Sequence, residues 1–300
     1  MHVTEQHERT LEELLASPGV VFLLGGIDTG KTTFGLELAA RATAAGVPTA
    51  IVDADIGQST VGPPTTVGLK LCTGMSEVTR ETVRAADGLS FVGSITPRGH
   101  VLSLVIGTAK LAARARETGC RLVVVDTTGF LSGISAQMLK YFKMDLLGAD
   151  FVVGFKRGGE LDPVLGIARR FTPAQIVELA VPPDVPARTV DERAAFREQQ
   201  FAAYFAGGGS RWRVKPTVFM PTLPPEFDLA LLDGLVVGME DGKGSCVGIG
   251  ILEFEASTEI LRMVSPVSEG VRGLRLGSFR IDVQGRSKGP VDLRQLFSTE

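Results

Sequence analysis

Asparagine is absent from all 300 residues, which removes the Asn-Lys-x-Asp signature that GTPases ordinarily use to read guanine. Cysteine is scarce: Cys72, Cys120 and Cys246 are odd in number, far apart and form no C-x-x-C pair. That excludes a disulfide framework and structural zinc, and it favours a reducing compartment. No apolar run approaches the roughly 20 residues that cross a bilayer, and acids stand near the start where a secretory leader would place positive charge. The expected location is cytoplasmic, with no membrane partner. Charge of one sign is also lacking. At a net −3, a polyanion would have to be met by a local basic surface, since the molecule as a whole offers none.

What is present suffices for an α/β core and a second, smaller unit, because 44% of the residues are hydrophobic. Residues 20–33 read VVFLLGGIDTGKTT, an apolar strand running into Gly25-x-x-x-x-Gly30-Lys31-Thr32. Glycines let successive backbone N–H groups turn inward around phosphate oxygens, and the helix that follows offers its positive end to the same anion. Gly25, Gly26, Ile27, Asp28, Thr29, Gly30, Lys31, Thr32 and Thr33 are therefore expected to cradle a triphosphate. Lys31 would reach the β- and γ-phosphates, and the Thr32 hydroxyl would hold Mg²⁺.

A leucine-bearing helix over residues 4–16 precedes this loop, with His7 expected in solvent near its start. A helix over 34–45 and a strand over 49–52 follow, delivering Asp53-Ala54-Asp55-Ile56-Gly57-Gln58. Carboxylates at i and i+2 of a strand share a side of it, here at the carboxyl end where open α/β sheets hold ligands. One of the pair could support a metal's water shell and the other could take a proton from an attacking hydroxyl. RLVVVD, ending at Asp126, is the strongest strand signal, and its aspartate suits a place beside Mg²⁺. Residues 206–210, AGGGS, read as a linker. Short apolar stretches split by glycines follow, the pattern of a mostly-β unit. Arg272, Arg275, Arg280, Arg286 and Lys288 crowd its end; a nucleic-acid surface and ordinary salt-bridged packing explain them equally.

GGIDTGKTT together with VDADIGQSTVGPPTTVG resembles the polynucleotide 5′-hydroxyl kinase family, which includes archaeal RNA kinases and the kinase subunit of eukaryotic pre-mRNA cleavage factor. The resemblance implies ATP with Mg²⁺, and a nucleic acid with a free 5′-hydroxyl, RNA or DNA, as partner. It makes Asp55 the general base and leaves Asp53, with Thr32 and Asp126, on the metal side. Gln58 would help place the acceptor. Ser94-Ile95-Thr96-Pro97-Arg98-Gly99-His100 is similar to an acceptor-lining loop of the archaeal members, so Arg98 and His100 are candidate contacts; a turn capping the next helix would look the same. Thr127-Thr128-Gly129-Phe130 resembles a T-x-G-W clasp on the nucleic-acid end, with Phe130 in place of tryptophan: a smaller ring without an N–H. Arg188, Arg193 and Arg197, ahead of Tyr204-Phe205, keep the spacing of a lid whose arginines close over phosphates.

The expected fold is α/β: a P-loop NTPase parallel sheet flanked by helices, with an arginine-bearing lid and a small mostly-β C-terminal domain. Residues 1–209 would form the kinase domain, including a lid at about 156–206, and 210–300 the C-terminal domain. Lys31, Asp55, Arg188 and Arg193 are the expected catalytic set. The rival readings are a P-loop kinase of a nucleoside or other small metabolite, and a non-catalytic ATP-binding assembly factor.

Overall fold

The computed structural model describes residues 4–182 and 185–297. In chain order the N-terminal part runs α1 (Glu5–Ala16), β1 (Val20–Gly25), α2 (Lys31–Ala44), β2 (Thr49–Ala54), β3 (Thr66–Leu71), β4 (Gly88–Phe91), α3 (Val101–Glu117), β5 (Leu122–Thr127), α4 (Ile134–Leu147), β6 (Phe151–Lys156), α5 (Asp162–Phe171), β7 (Gln175–Ala180) and α6 (Val190–Phe205). The C-terminal part adds β8 (Ser210–Arg213), β9 (Phe219–Met220), β10 (Leu235–Glu240), β11 (Cys246–Glu255), β12 (Ile260–Ser265), β13 (Gly273–Ile281), β14 (Ser287–Pro290) and the short α7 (Leu293–Phe297). No helix among the described residues is long and apolar enough to cross a membrane.

Strands β2, β5, β1, β6 and β7 lie side by side and parallel. Strands β1, β2 and β5 are buried at every position, and mostly apolar, because both faces are covered. Val20, Phe22 and Leu24 of β1 pack with α3, α4 and α5, while Val21 and Leu23 face α1 and α2. His7 belongs to this second layer and not to solvent. It is buried, Thr4 Oγ1 lies 2.6 Å from its Nδ1, and its ring sits edge-on to Phe34, so burial lowers its pKa.

Residues 156–206, expected as a lid, contain two elements of the core. The edge strand β7 pairs with β6 along its whole length, and the amphipathic α5 buries Val164, Leu165 and Ala168. The segment that reaches over the parallel strands' carboxyl ends is shorter, from Val185 into α6. A Thr189–Glu192 capping box starts that helix by satisfying two otherwise unpaired N–H groups.

On the other side of β2 the sheet turns antiparallel through β3 and β4 and continues into the C-terminal strands where Leu89 meets Cys246. Phe91 fills the space left by Gly238, whose added Cβ would stand 2.3 Å from the ring. Phe201 and Phe205 of α6 join Phe91, Ile249, Ile251 and Phe279 in one apolar cluster. The Tyr204 hydroxyl accepts the Ile249 N–H at 3.0 Å. The far end of the arginine helix is thus anchored in the β unit, and its beginning overhangs the β1–α2 loop.

Candidate active site

The carboxyl ends of β1, β2 and β5 open into a cleft of about 810 Å³. Its floor is the β1–α2 loop. Gly30 begins α2 at φ 89°, a left-handed conformation that side chains resist, and no side chain caps the helix. The amides of the first turn are left facing the cleft, as an anion requires. Lys31 is buried and donates to the Gly26 carbonyl at 2.5 Å, with Thr29 Oγ1 at 3.4 Å. Burial lowers its pKa against the pull of Asp126, Asp55 and Asp28.

Thr32 Oγ1 donates to Asp126 Oδ2 at 2.5 Å, and the Thr127 N–H donates to Oδ1 at 2.8 Å. A hydroxyl and a carboxylate side by side are hard oxygen donors of the kind Mg²⁺ takes when phosphates and water complete its shell. Among the described residues no three of His, Cys, Asp and Glu converge on a point, so an all-protein cage is not on offer. The donor set fits Mg²⁺ held jointly with a nucleotide. Burial raises the Asp126 pKa, although Lys31 and the Thr32 bond oppose it.

The two carboxylates of the Asp53-Ala54-Asp55 stretch do different things. Asp53 lies opposite Asp126 in the β2–β5 register and is fully buried. Its Oδ1 accepts the Asp55 N–H at 2.9 Å, and its Oδ2 accepts those of Thr60 and Val61 at 2.5 and 2.9 Å. Burial and the Asp126 charge push its pKa up to about 7 against those bonds. Its oxygens are engaged in folding the loop that presents Asp55, and Asp53 is not on the cleft wall. Asp55 is: Oδ1 accepts the Gly57 and Gln58 N–H groups, each at 3.2 Å, and the carboxylate shares the cavity with Lys31 and Thr32.

The other walls are the 95–98 loop, the 128–132 segment and the start of α6. Gly129 lies against the phosphate loop so closely that a Cβ there would stand 2.6 Å from the Ile27 N. Phe130 packs partly on the core and partly lines the cleft, with the Arg98 guanidinium 6.0 Å from its ring centre. Gln58 Nε2 donates to the Arg193 carbonyl at 3.0 Å, tying the Asp55 loop to α6. Arg188, Arg193 and Arg197 all face the cleft; Arg197 Nε is buried without a partner, and burial lowers its pKa.

His100, expected as an acceptor contact, is not brought to the cleft. It precedes α3 half-buried, with Nε2 2.8 Å from Ser278 Oγ of β13, where it joins the two parts of the chain. Conversely, Arg80 belongs to the site unannounced. Arg80 lines it from the β3–β4 excursion, and Arg157 clamps the loop by donating to the Asp28 and Val185 carbonyls at 2.8 and 3.0 Å. Behind the site stand two buried lysines of α4. Lys140 Nζ donates to Thr127 Oγ1 at 2.8 Å and to the Thr128 carbonyl at 2.5 Å, whereas Lys143 Nζ has no hydrogen-bond partner. An i, i+3 lysine pair on the apolar face of a helix was the available signal.

A family model described as mRNA cleavage and polyadenylation factor CLP1 P-loop matches residues 25–207. The chain is 26% identical to the polyribonucleotide 5′-hydroxyl-kinase TK1956 of Thermococcus kodakarensis over 96% of this chain and 95% of that protein. It is 25% identical to a protein CLP1 homolog of Anopheles gambiae over 85% of this chain and 60% of that protein. The solved structure of a wild-type Clp1p–Pcf11p complex superposes with a TM-score of 0.70 at 13% identity, covering 93% of this chain and 80% of that one. That likeness concerns the fold alone.

Proposed function

This chain belongs to the CLP1 P-loop family, and on that premise we propose that it is an ATP-dependent polynucleotide kinase that phosphorylates the 5′-hydroxyl of RNA, with DNA ends as a second acceptor. The observation that carries the reading is the sharing of one cleft by Asp55, Lys31, Thr32, Phe130 and the α6 arginines. A triphosphate cradle alone would serve many reactions. A carboxylate on the opposite wall, beside an aromatic and arginine-lined approach, suits transfer to a hydroxyl on a nucleic-acid end.

Asp55 takes the proton of the 5′-hydroxyl as its oxygen forms a bond to the γ-phosphorus. The bond from that phosphorus to the β–γ bridging oxygen breaks, and ADP leaves. Lys31, Arg188 and Arg193 neutralise the equatorial oxygens, for which a planar guanidinium is suited. Thr32 and Asp126 would hold Mg²⁺, which supplies further charge neutralisation when bound. Phe130 stacks on the terminal base and Gln58 positions the acceptor from the Asp55 side.

Transfer of labelled γ-phosphate from ATP to matched RNA and DNA oligomers with free 5′-hydroxyls tests this directly. Asp55→Ala and Lys31→Ala should each lower the rate by at least about a hundredfold. Preference for mononucleosides over oligomers would replace the reading with a small-metabolite kinase, and the absence of any transfer would leave a nucleotide-binding assembly factor.

A further inference from the structure

The C-terminal unit carries a groove of about 420 Å³, separate from the cleft, between β8, β12 and the turn entering β13. Trp212, the sole tryptophan of the chain, forms part of it. Its ring is half-buried, packed on the β-unit core on strand β8, where it pairs with Met263 of β12. Arg213, Lys215 and Arg272 converge on the same groove, all exposed.

What separates these three from their neighbours is the absence of partners. Arg211 is paired with Glu253, Arg262 with Glu255, and Arg275 with Glu240. Among the described residues, the side chains of Arg213, Lys215 and Arg272 make no hydrogen bond or ion pair, and the one acid on the groove is Glu269. The basic residues near the chain's end therefore do not form one surface. Arg275 is used in packing, over Phe91 and against Glu240, while Arg272 is left for a ligand. An aromatic face flanked by unpaired cations is the chemistry that binds unstacked bases along a phosphodiester backbone.

We propose that this groove is a second binding site for single-stranded nucleic acid, holding the body of the acceptor strand whose 5′ end enters the cleft. It rests on the kinase reading for the identity of that strand. The chain's layout gives it reach. α6 begins over the cleft with its arginines and ends at Phe205, and Gly207, Gly208 and Gly209 lead directly into β8. A strand that starts beneath α6 and follows it meets Trp212 next.

The single tryptophan makes the groove its own reporter. A 5′-phosphorylated oligouridylate of about 20 nucleotides, longer than the roughly 4–16 that a small β unit covers, is titrated into the full chain without ATP while tryptophan emission is followed. Quenching of Trp212 is expected. In filter binding, Trp212→Leu should weaken binding about tenfold while keeping the core filled. The triple change Arg213→Ala, Lys215→Ala, Arg272→Ala should also flatten the salt dependence by a slope of about 2, the value for three lost phosphate contacts on a single strand. In the kinase assay the triple variant should raise KM for the 20-mer and leave a dinucleotide acceptor unaffected. Absence of quenching in a protein that still phosphorylates RNA overturns the groove and spares the kinase. Quenching without phosphoryl transfer supports the groove and sinks the kinase. Equal quenching by polyglutamate overturns the proposal, because it shows a site for acidic peptide without base stacking.

Discussion

Arg188 is held on Asp28: its Nη2 stands 2.7 Å from Oδ1, its Nε donates to the same oxygen at 2.8 Å, and its backbone N–H donates to Oδ2 at 2.9 Å. Asp28 sits in the phosphate loop itself at φ 54° with its side chain only 6% exposed, and Arg193 is 3.6 Å from its other oxygen. On the proposed reading the carboxylate occupies a guanidinium that phosphoryl transfer calls for, and a triphosphate would have to compete for it. Asp28→Asn keeps a residue that tolerates the left-handed backbone and removes the competing charge. ATP should bind about fivefold more tightly, corresponding to about 1 kcal/mol, the upper range for a partly exposed ion pair. Calorimetric titration reads this; equal or weaker binding would show that Asp28 does not restrain Arg188.

Asp53 should behave as a structural residue with a catalytic consequence. Asp53→Asn places an amide where a carboxylate oxygen now accepts N–H groups from Thr60 and Val61 or from Asp55. Each buried N–H left unpaired costs about 1–3 kcal/mol. The melting temperature should fall by several degrees, at about 2–4 °C per kcal/mol, and kcat should fall with it as the Asp55 backbone loses its tether. A variant that melts like the native chain yet loses activity would instead make Asp53 a direct participant.

The parts legible in the sequence are those where chemistry fixes the spacing. The phosphate loop needs glycines and a lysine at set intervals, and strand ends must deliver Asp55 and Asp126 to one edge. What escaped reading obeys weaker rules. β7 is an edge strand with only Leu179 fully buried, so it lacks the apolar run that marked β6. His100 lies in a loop of the expected composition, but its direction is decided by Ser278, 178 residues away. Lysines read as solvent-facing by default, yet Lys140 and Lys143 lie on the face of α4 that also buries Leu139 and Met144. The joint through Leu89 and Cys246 depends on a single pairing that no periodicity announces.

Lys143 imposes a pH dependence on stability. Burial pushes its pKa down to about 7, against the attraction of Asp55, Asp53 and Asp126. An unfolded lysine titrates near 10.4, so between about pH 7 and 10 the unfolded chain binds more protons than the folded one. Stability from this group is complete above the unfolded value and is lost as pH falls toward 7. Lys143→Met removes both the burial penalty and the titration. It should melt a few degrees higher at pH 7 and show a flatter rise in melting temperature from pH 7 to 10. Identical slopes in melts of the two proteins would mean that Lys143 is not the titrating group.

The Thr128-Gly129-Phe130 segment is gripped from two sides, and this separates its role from that of the phosphate loop. Lys140 pins it from behind through Thr127 Oγ1 and the Thr128 carbonyl, while Gly129 allows it to lie directly on Ile27 in front. On the proposed reading Phe130, which lines the cleft, is the side chain that meets the acceptor, and stacking of a base on an aromatic ring is worth about 1–3 kcal/mol. Phe130→Ala should raise KM for RNA roughly five- to a hundredfold, and Phe130→Trp should lower it by enlarging the stacking face. Lys140→Met leaves the ring in place but frees its support. Burial holds the Lys140 pKa well down, so the loss is that of two ordinary hydrogen bonds, about 0.5–1.5 kcal/mol each, and it predicts a rise in RNA KM of about tenfold with the ATP KM unchanged. If the ATP KM rises in parallel, the lysine supports the whole cleft floor, because a clasp that acts on the acceptor alone cannot weaken the nucleotide.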